Sequence, residues 1–287
     1  KKFHELDIPH SGFYAEGAGA TFFGEYKKEE LYKVVSFGER HGFKVFSWQF
    51  PNMTQELAQE FDLTKIDAVG VSQKPRPVEG SYMPCFLAGV SAATAFAAAR
   101  DIPLIYTTHQ QGHAAAALYA AKGEALFSQK VLLFHISGGT TDLLLCDQVR
   151  TITTLGTSTD LYAGQAVDRV GVRLGFGFPA GAEVSRLAAQ CTEEIRPKSS
   201  VKGLQCSLSG LENQCNALLA AGKAPEYVCK YCLLCVADTV VRMTKAAQKE
   251  YPGLPVVCAG GVMSSDIIRT WVQQRLPQVY LVPGQYS

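Results

Sequence analysis

KVLLFHISGGTTDLLLCDQVRTITTLG, residues 130–156, decides the fold. Three short runs, 130–136, 141–147 and 150–156, are rich in Val, Ile, Leu, Phe and Thr, and the turns SGGT and DQ join them. Short β-prone runs separated by turn residues read as an antiparallel meander. Downstream the pattern turns helical: a long helix over about 158–174, a loop GFGFPAG, a helix over 182–190, and a helix from Pro225, whose ring suits a first turn, to Glu250. A buried strand, LPVVCAGGV, and a helix, SDIIRTWVQQRL, follow.

Upstream, a strand IDAVGVSQ (66–73), a small-residue helix CFLAGVSAATAFAAAR (85–100), a strand IPLIYTTH and a second helix repeat in the order of a parallel sheet covered by helices. Shorter helices are expected over 27–42 and in MTQELAQEF, and residues 1–50 are the least readable part. A meander feeding helices and then a parallel strand is half of a ribonuclease H-like unit. Two such halves give the α/β, actin-like and Hsp70-like ATPase two-lobed fold. The expected lobes are 1–125 and 126–287, the second truncated at its end. The chain opens on Lys1-Lys2 without methionine, and both ends of the natural protein are expected to lie beyond the sequence.

With 47% apolar and 18% charged residues, the chain has the composition of a folded globular protein. The net charge of +1 offers no long-range field for nucleic acid or anionic lipid, so an RNA partner would be held by local patches. No apolar run reaches membrane-spanning length, and no signal-like segment opens the chain. The cytoplasm is the expected compartment, and no membrane partner is expected. The nine cysteines are an odd number scattered through apolar segments, as packed, reduced thiols would be. Cys229, Cys232 and Cys235 suggest a metal by spacing, but they lie in the apolar helical run VCKYCLLCVADTVV, where packed thiols are the better reading.

Four motifs can carry chemistry. In ISGGTTD (136–142) two glycines allow a tight turn whose backbone N–H groups can close on an anion, with hydroxyls from Ser137, Thr140 and Thr141. The same residues also suit a plain hairpin turn. In VVCAGGVMSSD (256–266) a strand ends in Gly260 and Gly261 and opens a helix capped by Ser264 or Ser265, the arrangement with which parallel α/β proteins bind nucleotides. Between them, Asp160, Gln165 and Asp168 fall near one helix face. Asp168 is best placed to receive a ribose or hydroxyl, or else pairs with Arg169 or Arg173, and Asp160 is read as a helix N-terminal charge.

In THQQGH, His109 and His113 stand one helical turn apart, the spacing of two ligands of a Zn or Fe site. The glutamate of a metalloprotease H-E-x-x-H is absent, which argues against peptide hydrolysis by that route. Two histidines capping a helix beside a sheet is the alternative.

Taken in order, THQQGH, HISGGTTDLLL, DLYAGQAVDRVGVRLGFGFPAG, CSLSGL (206–211) and CAGGVMSSDIIR resemble the motifs of the tRNA N6-adenosine threonylcarbamoyltransferase family, formerly described as a glycoprotease or metallopeptidase. The resemblance runs from about residue 55 to the end. It implies a divalent metal, Fe or Zn, on His109 and His113, and a nucleotide, threonylcarbamoyl-AMP or ATP. It implies contacts to that nucleotide from His135, Ile136, Ser137, Gly138, Gly139, Asp168, Gly181 and the Gly260-Gly261-to-Ser265 turn. It further implies acyltransferase activity on A37 of tRNA, and a smaller family paralogue and an ATPase as partners; no catalytic side chain is assigned.

The motifs also depart from the family pattern. Gln111 replaces Glu in the histidine motif, Thr140 replaces His after the glycines, Gln165 replaces Glu, Val167 and Arg169 replace Phe and Lys, and Ser265 replaces Asn. The family's third metal ligand, an aspartate, is expected just beyond LVPGQYS. These changes keep two alternatives open: a catalytically silent paralogue acting as scaffold, and an ATP-dependent small-molecule kinase or acyltransferase of the same fold.

Overall fold

The computed structural model describes residues 65–148 and 151–283. The helices expected over 27–42 and 53–61 lie outside the described residues. The chain divides into two compact units between Gly112 and His113.

In the first unit, strands β1 (Val69–Lys74) and β2 (Leu104–Thr108) pair in parallel, with Val69 opposite Leu104 and Ser72 opposite Thr107. Helix α1 (Cys85–Arg100) connects them and sets Ala93 and Ala97 against Val69, with Val71, Phe96, Ile102 and Leu104 around them. The alanines bring helix and strands close at little side-chain entropy cost. Helix α2 (His109–Lys122) starts directly after β2 and continues into the second unit.

The second unit is built on a five-stranded sheet. Its strands are β3 (Lys130–Ile136), β4 (Thr141–Asp147) and β5 (Thr151–Thr157), followed after the helices by β8 (Val256–Ala259) and β9 (Val279–Leu281), in the order β5-β4-β3-β8-β9. The meander pairs antiparallel, while β8 joins β3 in parallel with Ala259 opposite His135. Strand β3 is central and covered on both faces, so period-two alternation sorts its residues into two cores. Leu132, Phe134 and Ile136 face one core with Leu143, Val256 and Cys258; Val131 and Leu133 face the other with Leu144, Cys146, Val257 and Ala259. Ala114, Ala117 and Leu118 of α2 close the second face.

The first face is covered by α3 (Ala163–Arg173), α4 (Gly181–Ala188), α5 (Ser209–Ala220), α6 (Pro225–Glu250) and α7 (Asp266–Gln273). Pro225 opens α6 as expected. Helix α3 starts at Ala163, five residues later than the sequence suggested, because residues 158–162 are used in turns and bridges around Asp160. A small hairpin, β6 (Ser200–Lys202) with β7 (Gln205–Ser207), helix α5 and the edge strand β9 were not anticipated. No helix among the described residues is long and apolar enough to cross a membrane.

Candidate functional site

The ends of β3 and β8 lie side by side, and each opens into a glycine turn. The first turn closes with the Ser137 N–H donating to the Thr140 carbonyl at 2.9 Å. Ser137 Oγ and Thr140 Oγ1 are 2.8 Å apart, and the Gly139 N–H donates to Ser137 Oγ at 3.2 Å. Thr141 turns away: its hydroxyl donates to the Thr140 carbonyl and accepts from the Ala163 N–H, both at 2.8 Å, and so caps the start of α3.

The glycines divide by what surrounds them. Gly260 has φ +103°, and a Cβ there would stand 2.1 Å from the Ile136 carbonyl oxygen. At Gly164, in the first turn of α3, a Cβ would stand 2.7 Å from Gly138 N, Gly138 Cα and the Ser137 carbonyl oxygen. These two positions let β8 and α3 press against the backbone of β3 and its turn. At Gly138, Gly139, Gly181 and Gly261 a Cβ would meet nothing within 4 Å, so the backbone there faces open space that a ligand can approach.

Asp168 lies one helical turn beyond Gly164, about 6 Å along α3. Its carboxylate accepts from the Ala180 N–H at 2.8 Å, at the N-terminus of α4 beside Gly181. Among the described residues Asp168 pairs with neither Arg169 nor Arg173, and Arg169 instead pairs with Glu212 at 3.2 Å. Asp160 sits ahead of α3, not on it. Its carboxylate accepts from the N–H groups of Leu161, Leu208 and Ser209 and the hydroxyls of Ser207 and Ser209, at 2.6–3.3 Å. Burial alone would raise its pKa, but these hydrogen bonds, led by Ser207 and Ser209, hold it well below the usual carboxylate range. Asp160 thus serves a helix N-terminus, as read, but that of α5.

Ser265 is the residue before α7, yet its side chain makes no capping bond; Ser264 Oγ donates to the Gly261 carbonyl at 2.6 Å instead. Ser265 is 7% exposed, and its hydroxyl has no hydrogen-bond partner among the described residues. A buried hydroxyl without a partner is costly, and a ligand bonding to it relieves that cost.

His109 and His113 occupy the first turns of α2, but the cap belongs to other residues. Gln111 Oε1 accepts from the Thr108 N–H at 2.9 Å, while the Gln111 N–H donates to Thr108 Oγ1 at 3.3 Å. That reciprocal pair is a capping box. It gives Gln111, standing where the family has glutamate, a structural role that the signal Thr-x-x-Gln could have revealed. The ring of His113 lies against that of His135, centroids 5.0 Å apart, and His135 Nδ1 is 3.3 Å from Thr140 Oγ1. The structure therefore brings His113, His135, the 137–140 turn, Gly164, Asp168, Gly181 and the Gly260 turn onto connected elements of the second unit.

Two imidazoles at this spacing fit half of a Zn or Fe coordination sphere. Among the described residues no group of three or more His, Cys, Asp or Glu could hold a metal ion. Cys229, Cys232 and Cys235 are buried in α6. Burial pushes the Cys229 and Cys235 thiols up to about 12 and about 11, and a hydrogen bond with Cys215, then burial, raises Cys232.

A central sheet flanked by helices, with glycine turns at the ends of its adjacent parallel strands, gives an α/β protein of the actin-like fold. Solved structures share the fold: HypF from T. kodakarensis aligns at a TM-score of 0.57 and 12% identity, over 92% of this chain and 42% of that one. Full-length HypF in its phosphate- and nucleotide-bound form aligns at 0.55 and 15% identity, over 90% of this chain and 47% of that one. The chain thus spans less than half the length of either.

The sequence narrows the class to a family. The model of the tRNA N6-adenosine threonylcarbamoyltransferase family matches residues 44–287, and the chain belongs to that family of transferases. The threonylcarbamoyltransferase of Streptococcus equi subsp. equi (strain 4047) is 31% identical over 258 residues, 87% of this chain and 73% of the relative. That of Streptococcus uberis is 31% identical over 245 residues, 82% of this chain and 69% of the relative.

Proposed function

We propose that the protein transfers the threonylcarbamoyl group of threonylcarbamoyl-AMP to N6 of adenosine 37 in tRNA. The observation that carries the reading is the pairing of two glycine turns at the ends of β3 and β8, with open backbone at Gly138, Gly139 and Gly261. Such backbone suits the phosphate and acyl oxygens of a mixed anhydride, because preorganised N–H groups stabilise charge that develops there. Asp168 and Gly181 at the start of α4 suit the ribose hydroxyls, and the Ser265 hydroxyl is a further donor. His135 and Thr140, linked at 3.3 Å, stand beside the turn as a polar pair that can orient the acyl group.

His109 and His113 would hold the metal, iron or zinc, which when bound supplies Lewis-acid polarisation of a carbonyl or phosphate oxygen. Attack by the adenosine amine on the carbamoyl carbon breaks the anhydride bond and releases AMP. The six motif positions that depart from the family pattern leave the glycine scaffold intact.

The test incubates the purified full-length protein, with its metal content measured, with threonylcarbamoyl-AMP and tRNA bearing adenosine or guanosine at position 37, and digests the tRNA for nucleoside mass spectrometry. Modified adenosine only in the first tRNA is the expected result. Metal-loaded protein that modifies neither tRNA refutes the proposal.

A further inference from the structure

The chain is nearly neutral, with a net charge of +1, but its charge is not evenly spread. The segments RPKSSVK (196–202) and RMTKAAQK (242–249) carry six cations and no acid, and the fold brings them together. On α6, Asp238, Arg242, Lys245 and Lys249 follow at spacings of four, three and four, which sets them in one stripe. The other segment is bonded to the head of that stripe. Ser199 Oγ donates to the Asp238 carboxylate, and an Arg242 N–H group donates to the Ser199 carbonyl at 2.7 Å and to its hydroxyl at 3.1 Å. Strand β6 begins at the next residue and packs on α6 with Val201 against the core, so alternation turns Lys202 outward.

Of the bordering acids, Asp238 is engaged by Ser199, Glu193 pairs with Lys223 at 3.5 Å, and Glu194 and Glu250 flank the two segments. Lys202, Lys245 and Lys249 are exposed, and their side chains have no hydrogen bond or ion pair among the described residues. The dipole of α6 favours a cation in its last turn, which accounts for Lys249 but not for Lys245 or for Lys202 on the strand. Along the helix axis Arg242 and Lys249 are about 10 Å apart. Neither segment has an exposed large apolar side chain on which a base or a protein could pack. A row of cations without a stacking ring suits the phosphates of a paired stem and not an unstacked base. Helix α6 ends at Glu250 and the chain re-enters the sheet at Val256, whereas the Gly260 turn lies at the other end of β8. The end of the row therefore belongs to the edge of the sheet opposite the glycine turns.

We propose that Lys202, Lys245 and Lys249 hold the phosphate backbone of a paired stem of the RNA, away from the nucleotide that reacts, with Arg242 and Ser199 fixing strand and helix side by side. This rests on the tRNA reading above. The test measures, by fluorescence anisotropy over a salt series, binding of the full-length protein to labelled tRNA and to a labelled, fully paired RNA duplex, together with steady-state transfer.

Lys245→Gln/Lys249→Gln should flatten the slope of log affinity against log salt by about 2 for both RNAs, one for each phosphate contact. Its melting temperature should stay at the wild-type value because both side chains are exposed and unpaired. Transfer should show a KM for tRNA raised several-fold with kcat unchanged. Lys130→Gln/Arg186→Gln removes the same charge from residues already paired with Asp147 and Glu183, and should keep the wild-type slope. An unchanged slope in the lysine pair, or equal flattening in the control pair, overturns this inference and leaves the tRNA reading standing. A fall in kcat with RNA affinity unchanged overturns it as well. Wild-type protein that binds neither RNA overturns both, whereas the expected slopes without any transfer support the surface and sink the transfer reading.

Discussion

Replacing Gly260 by alanine tests whether the two strand ends are held together as described. Gly260 has φ +103° and ψ 157°, a region that is essentially closed to residues with a side chain. The new methyl group would stand 2.1 Å from the Ile136 carbonyl oxygen, whereas ordinary contact begins at 3.4 Å, so the shortfall is 3.4 − 2.1 = 1.3 Å. The obstacle is backbone of the central strand, which cannot rotate away as a side chain would. Strain of this kind costs about 1–3 kcal/mol, and overpacking against fixed atoms adds about 1–3 kcal/mol, for a total of roughly 2–6 kcal/mol. In a unit of this size that lowers the melting temperature by about 5–20 °C. Gly261→Ala is the matched control, because a Cβ there meets nothing within 4 Å and no positive φ is needed; it should change stability by less than about 0.5 kcal/mol. Thermal and urea unfolding of both variants read the difference. A Gly260→Ala protein as stable as the wild type, or a Gly261→Ala protein equally damaged, would refute the argument.

Three further expectations follow from the same contacts. Asp160→Ala removes the acceptor for the start of α5 and should cost roughly 0.5–2 kcal/mol. Because the folded-state pKa of Asp160 is depressed, its contribution is present above the ordinary carboxylate range and is lost as pH falls toward the lowered value; an acid-unfolding series should show a shallower acid limb in Asp160→Ala. Gln111→Leu should lose about 1 kcal/mol through the broken capping box, while Gln111→Glu keeps the box; equal melting of Gln111→Leu and wild type would sink that assignment. Of the nine cysteines only Cys85 is exposed, so a thiol reagent near pH 8 should label one thiol quickly in the native protein and all nine after denaturation. Fast native labelling of several would contradict the burial of Cys229, Cys232 and Cys235.

Four strands of the central sheet, β3, β4, β5 and β8, were legible because they announce themselves in two ways, whereas the three-residue edge strand β9 was not. KVLLFHI and VVCA are continuous apolar runs, as strands covered on both faces must be, and SGGT leaves room only for a tight connection. Helix α5 and the β6–β7 hairpin were not legible, for an equally physical reason. Helix α5 buries only Leu211 and Cys215 fully, and the hairpin strands have three residues each, too few for a periodic pattern. The start of α3 was misplaced because Asp160 looks like a first-turn acid, and only the three-dimensional contacts reveal that it serves α5.

For the candidate site, residue types could be read but their division of labour could not. Sequence marks glycines without saying which are pressed against backbone and which lie open; Gly164 was passed over inside the motif DLYAGQ although it abuts the 137–140 turn. The histidine spacing drew attention from Thr108-x-x-Gln111, whose capping box gives residue 111 a structural role that an amide or a carboxylate fills alike. The exchange of histidine for Thr140 looks, residue by residue, like a lost imidazole. In three dimensions the Thr140 hydroxyl meets His135 Nδ1, and the His135 ring lies against His113. Strand β3 ends at Ile136, so residue 135 stands just before the turn, and an imidazole still borders it from the strand and not from the loop. An exchange that removes an imidazole from a turn can thus leave one beside that turn when the preceding strand supplies it.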